Sequence, residues 1–149
     1  MEDLETAVME WARDGFCCSQ IMILAGTTLS GRDNRDLTAA MNGLCRGAYS
    51  NLGTCGALTG ACCLMGLFAG RGSQWEEKDP KLIMMIEELH GWFRENWGGE
   101  RRGITCGEIL RSEPGADMQK CFPLVLGTLA KTIQLLEGNG YDVREGPSL

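Results

Sequence analysis

Histidine is nearly missing from this sequence: His90 is the only one in 149 residues. A zinc or di-iron centre built from several histidines is therefore excluded for a single chain. Runs of basic residues are missing too. Lysine and arginine total 14 against 20 acidic residues, for a net charge of −6, which argues against a nucleic-acid footprint. No C-x-x-C occurs, which removes the thioredoxin motif, the zinc ribbon and the bacterial-ferredoxin run. No C-x-x-C-H occurs, so haem attachment is not indicated. No glycine-rich nucleotide loop follows a strand, so neither flavin nor nicotinamide is indicated. The start, Met1-Glu2-Asp3-Leu4-Glu5, lacks the basic opening and apolar core of a secretory leader, and a cytoplasmic location is expected. From Gly47 to Gly70 there is no charge, but the strongly apolar part, Ala57 to Ala69, is too short to span a bilayer.

Strand signals are also scarce, since no segment keeps an apolar–polar alternation of β-branched residues. Helical spacing recurs instead. Leu4, Ala7, Val8, Trp11 and Ala12 form one stripe, with Gly15 suited to the helix end. A short helix over Ile21 to Leu29 follows Ser19 as its cap, and Leu37 to Leu44 adds a third. The uncharged stretch from Cys55 to Gly70 reads as a buried central helix. In it Gly56 and Gly60, four apart, present a face that another backbone can approach closely. Leu82, Met85, Ile86, Leu89, Phe93 and Trp97 mark a long amphipathic helix between Pro80 and Gly98-Gly99. Ile104 to Arg111 reads as a short helix closed by Pro114-Gly115. Phe122, Val125, Leu126, Leu129, Ile133 and Leu136 mark the last helix, with a loose tail from Gly140. The expectation is all-α: one bundle of five to six helices over residues 1–149. Four tryptophans, eight methionines and an apolar face on every helix lead us to expect a homodimer.

Against this ordinary background (44% hydrophobic, 23% charged), eight cysteines stand out: Cys17, Cys18, Cys45, Cys55, Cys62, Cys63, Cys106 and Cys121. A chain of this length can build a core without disulfides, so the thiols point to metal binding or redox chemistry. Neighbouring cysteines, as in Cys17-Cys18 and Cys62-Cys63, do not readily bridge each other. Cys55 and Cys62 would share a helix face but lie about 10 Å apart along its axis, too far for a disulfide. Any shared site must draw on several helices. Cys45, Cys62 and Cys63 read as small buried hydrophobes. Cys17 divides evenly between that reading and a functional one. Cys55, flanked by glycine at a helix start, reads as functional, with its thiol pKa lowered by the helix dipole.

The segment Gly53-Thr54-Cys55-Gly56-Ala57-Leu58-Thr59-Gly60 resembles the CGAxxG signature of a four-cysteine family of redox-type proteins. Cys18-Ser19-Gln20 resembles that family's first cysteine segment, with Cys17 as the neighbouring alternative. Cys106-Gly107-Glu108-Ile109-Leu110 resembles the third, and Cys121 the fourth, the likeness running from about Phe16 to Ala130. The resemblance implies a redox site made of Cys18, Cys55, Cys106 and Cys121, in which Gly56 and Gly60 let a cofactor approach. Three chemistries stay open: an iron–sulfur electron carrier, dithiol/disulfide cycling with Cys55 as attacking thiolate, and, as an alternative, soft-metal (zinc or copper) binding without turnover. An electron donor or acceptor would be the partner. Glu87, Glu88 and Glu95 read as a solvated helix face, Arg101-Arg102 as a surface turn, and His90 as a packed or solvated side chain rather than a ligand.

Overall fold

A computed structural model describes residues 2–110 and 117–146 of the chain. Among the described residues there are seven right-handed helices and no strand. They are α1 (Glu2–Arg13), α2 (Cys18–Leu29), α3 (Arg35–Met41), α4 (Gly56–Ala69), α5 (Lys81–Trp97), α6 (Cys106–Leu110) and α7 (Asp117–Gly138). The all-α expectation holds, with more helices than the five to six read from the sequence. No helix among the described residues is long and apolar enough to cross a membrane.

α4 is central: it lies against α2 and contacts α5 and α7 as well. Its small residues explain the approach to α2. A Cβ on Gly60 would stand 2.9 Å from the Met22 Cβ and 3.0 Å from the Ser19 Cα, so no larger residue fits without moving α2. Ala57, Leu58, Ala61, Leu64 and Met65 fill the interior beside Ile21, Met22 and Ile23. α5 contributes Met85, Leu89 and Phe93, and α7 contributes Leu124, Val125, Leu129 and Leu136. The α5 and α7 sets each fall on one helix face, as an amphipathic helix requires.

Several boundaries differ from those read in the sequence. α2 begins at Cys18, and its cap is Cys17 rather than Ser19. Ser19 is inside the helix, fully buried, and donates its hydroxyl to the Met41 carbonyl at 2.8 Å. Gln20 is also buried and donates to the Thr38 carbonyl at 3.2 Å. These two polar residues disguise α2, which is as thoroughly buried as α4. α7 begins at Asp117, so Pro123 lies inside it and Cys121 is one turn in rather than at its start. The tail is docked through its described part. The Tyr141 hydroxyl donates to Asp79, its ring meets Phe68 edge-on at 6.1 Å, and Val143 is buried. The Pro114-Gly115 closure lies outside the described residues.

Two expectations follow here. Gly91 sits in mid-α5 with open space where a Cβ would project. Gly91→Ala should therefore stabilise the fold by about 0.5–1 kcal/mol, read as a raised denaturant midpoint. Burial and the hydrogen bond to Asp79 push the Tyr141 phenol up to about 12. Because its folded pKa is raised, this contribution is present below the usual tyrosine value and is lost as pH rises towards 12. In a Tyr49→Phe protein, which leaves Tyr141 as the only tyrosine, the ultraviolet tyrosinate signal should appear near pH 12 rather than pH 10.

Candidate functional site

Among the described residues, the loop from Asn42 to Cys55 has the most unusual backbone. After a single 3-10 turn at Asn42–Leu44, four successive residues take left-handed conformations: Arg46 (φ 54°), Gly47 (φ 65°), Ala48 (φ 58°) and Tyr49 (φ 62°). For residues other than glycine this costs roughly 1–2 kcal/mol each. Something must hold them there. The Tyr49 N–H donates to the Cys45 carbonyl at 2.8 Å, and the Asn51 N–H to the Arg46 carbonyl at 3.2 Å. Gly47 is pressed against Gly53, so that a Cβ on Gly47 would lie 2.6 Å from the Gly53 carbonyl oxygen and 3.1 Å from the Cys106 Cβ.

The segments before α4 and α6 run antiparallel for a single bridge, Thr54 opposite Thr105. The Cys55 N–H donates to the Ile104 carbonyl at 2.7 Å, and the Cys106 N–H donates to the Gly53 carbonyl at 3.0 Å. The Gly107 N–H continues the pairing to the Asn51 carbonyl at 2.7 Å. Cys55 caps α4 and Cys106 opens α6, so this short pairing brings two helix starts side by side although they are fifty residues apart. Thr105 and Glu108 cap α6 reciprocally: the Glu108 N–H donates to the Thr105 hydroxyl at 3.1 Å, and the Thr105 N–H to the Glu108 carboxylate at 3.3 Å.

Cys18, Cys55, Cys106 and Cys121 all line one cavity of about 470 Å³. Phe16, Ile109, Leu124 and Val125 supply apolar wall, while Arg46 and Tyr49 from the left-handed turn supply polar groups. Cys55 and Cys106 are buried, and Cys18 and Cys121 half-buried. Gly56 also lines the cavity, and a Cβ there would collide with the Cys18 sulfur. Gly60 is different: it faces Met22 and Ser19 of α2 and is not among the lining residues.

The thiol electrostatics differ from the sequence expectation. Burial pushes the Cys55 thiol up to about 12, assisted by repulsion from the neighbouring Cys18 and Cys121. The Ala57 and Leu58 amides at the helix start act the other way and do not compensate. Cys18 is likewise raised by burial, against backbone hydrogen bonds from Arg46, Ser19, its own amide and Gly56. Desolvation outweighs the dipole because the cavity wall is largely apolar. As bare thiols these groups are neutral near pH 7 and weakly nucleophilic.

Two of the remaining cysteines are joined: Cys17 and Cys45 form a disulfide, with Cα atoms 5.9 Å apart, and both border the same cavity. The reading of Cys45 as an inert small hydrophobe is therefore corrected. Neither residue alone signalled the pair, because it joins segments 28 residues apart that meet only through the packing of α2 against the loop after α3. The bond also identifies Cys18 as the free thiol of the Cys17-Cys18 pair. Cys62 and Cys63 lie on α4 and do not line the cavity. Burial, then repulsion from Cys63, pushes Cys62 up to about 11. His90 bonds through its Nδ1 to the Ile86 carbonyl at 2.9 Å, one turn back on its own helix. Glu87, Glu88 and Glu95 are exposed, and Arg102 pairs with Glu95 at 4.0 Å on the surface.

The arrangement defines an all-α protein with four cysteines around one cavity. Residues 16–135 match the model of the family described as "Putative redox-active protein (C_GCAxxG_C_C)", and the chain belongs to that family. No curated protein and no solved structure matches the chain.

Proposed function

We propose that this protein carries electrons on an iron–sulfur cluster held by Cys18, Cys55, Cys106 and Cys121. The observation that carries the reading is that these four cysteines, spread over more than a hundred residues, border one largely apolar cavity of about 470 Å³. Their chemistry fits such a group. Several thiolates gathered in a desolvated space repel one another, and a cationic partner removes that cost. A single zinc or copper ion is less well supported, because no three His, Cys, Asp or Glu side chains among the described residues are grouped to hold one ion. An iron–sulfur cluster would instead be held by the four thiolates jointly, a ligand set that suits such groups.

A bound cluster would supply one-electron redox chemistry. The protein's own part is to present four sulfurs from α2, α4, α6 and α7, and to limit water around them with Phe16, Leu124 and Val125. The backbone amides of Arg46 and Gly56 bond to the Cys18 sulfur, and such outer hydrogen bonds tune a ligand's electron donation. Dithiol/disulfide cycling with Cys55 as attacking thiolate is disfavoured by the upward push on that thiol. The homodimer belongs to the same proposal, with Trp75 (87% exposed) and Met84 (63%) left uncovered by the chain's own fold. Light scattering that gave a monomer mass across a wide concentration range would remove it.

The deciding experiment is anaerobic purification followed by an absorption spectrum with iron, sulfide and zinc analysis. Brown protein with iron and sulfide in equal amounts supports the cluster. Colourless protein containing zinc or copper supports metal storage, and colourless protein without metal returns the site to thiol chemistry.

A further inference from the structure

We propose that Cys17–Cys45 is a second redox centre: a reversible disulfide/dithiol couple that exchanges two electrons and two protons with a dithiol reductant. Neither cysteine belongs to the four-cysteine pattern, and the inference is independent of what the other four hold. Three observations carry it.

A contiguous core runs from Leu4 to Val143, and a chain of this length buries enough surface to stand without a staple. Second, both cysteines border the cavity, and Cys17 is half-buried while Cys45 is only 1% exposed, so an incoming thiol meets Cys17 first. Third, the reduced state already has its hydrogen-bond partners. Asn42 Oδ1 lies 3.2 Å from the Cys45 sulfur, placed to accept from an S–H. The Ser19 hydroxyl lies 3.3 Å from the Cys17 sulfur and donates its own proton to the Met41 carbonyl, which leaves its lone pairs to accept from Cys17. Breaking the bond therefore creates two donors, each facing an acceptor, and leaves no buried polar group unpaired.

The exchange balances as follows. A thiolate of the reductant attacks the Cys17 sulfur, forming a mixed disulfide; the Cys17–Cys45 bond breaks and its electron pair goes to Cys45, which takes up a proton. The second thiol of the reductant, as thiolate, attacks its own sulfur in the mixed disulfide. Cys17 leaves with the electron pair and takes up the second proton. The reductant ends as a disulfide and the protein as a dithiol. The couple also flanks Cys18 on both sides. Cys17 precedes it in the chain, and Cys45 leads into the turn whose Arg46 amide bonds to the Cys18 sulfur.

The test uses the full chain under anaerobic conditions, equilibrated in mixtures of reduced and oxidised dithiothreitol. Free thiols are trapped with N-ethylmaleimide and mapped by peptide mass spectrometry, with circular dichroism recorded in parallel. The expected result is that Cys17 and Cys45 become labelled together in the reduced mixtures, with helical signal unchanged, and lose labelling again when oxidised dithiothreitol is restored. A pair that stays unlabelled until denaturant is added overturns the proposal. So does labelling that occurs only with loss of helix, because the bond would then be a structural staple.

Discussion

Cys55→Ser is expected to lower bound iron and the visible absorbance of anaerobically purified protein by well over tenfold, with the helical circular dichroism retained. The reasoning starts from ligand energetics. Removing an outer-shell hydrogen-bond partner of a metal ligand typically costs 10–100-fold in affinity, so removing a thiolate ligand itself costs more. The loss should be local. Serine is close in size to cysteine, and the Ala57 and Leu58 amides that face the Cys55 sulfur are available to a hydroxyl oxygen. Cys106→Ser should behave in the same way, since the Thr54–Thr105 bridge holds Cys55 and Cys106 side by side. Cys62→Ser and Cys63→Ser should leave iron content unchanged, because neither residue borders the cavity. If Cys55→Ser and Cys106→Ser both retain iron and the redox signal, the four-cysteine site is wrong.

Gly47→Val should be the most damaging single change in the loop, lowering stability by about 2–5 kcal/mol. Two costs combine. Gly47 has φ 65°, where a residue with a Cβ pays roughly 1–2 kcal/mol, and a β-branched side chain is the least suited to it. Its Cβ would also lie 2.6 Å from the Gly53 carbonyl, and overpacking of this kind costs about 1–3 kcal/mol. At roughly 2–4 °C per kcal/mol for a chain of this size, the midpoint of thermal unfolding should fall by about 4–20 °C. The site should suffer as well, since the same Cβ would press on Cys106 at 3.1 Å. Gly43→Ala is the control, because nothing lies within 4 Å of its Cβ position. A Gly47→Val protein as stable as the parent would show that the left-handed turn is not required.

Much of the fold was legible in the chain because amphipathic spacing is a local property. α5 was readable from Leu82 to Trp97, with Pro80 before it and Gly98 after it, and the structure keeps those limits within a residue or two. α4 was readable because a charge-free run with Gly56 and Gly60 suits a helix buried on several sides. α2 was underestimated, since Ser19 reads as a cap and Gln20 is polar, and both are buried only because the Met41 and Thr38 carbonyls satisfy them. The tail was misjudged for a similar reason: Tyr141 and Val143 carry no periodic signal, and only Phe68 and Asp79 give them something to dock on.

The sequence by itself determined the helical class, the central place of Cys55–Gly70 and the family membership. These follow from residue spacing and from a motif, both of which survive without knowledge of distant contacts. Tertiary structure alone decided the state of the thiols. The pKa expected for Cys55 from its helix start was reversed, because desolvation depends on what covers the sulfur, and the cover comes from other segments. The pairing of Cys17 with Cys45 was equally out of reach, since a disulfide depends on two Cα atoms coming within about 7 Å, and sequence separation says nothing about that distance. The left-handed turn at Arg46–Tyr49 belongs with them: three of its four residues are not glycine, and the contact of Gly47 with Gly53 and Cys106, together with hydrogen bonds to the Cys45 and Arg46 carbonyls, holds the backbone where local preference would not put it.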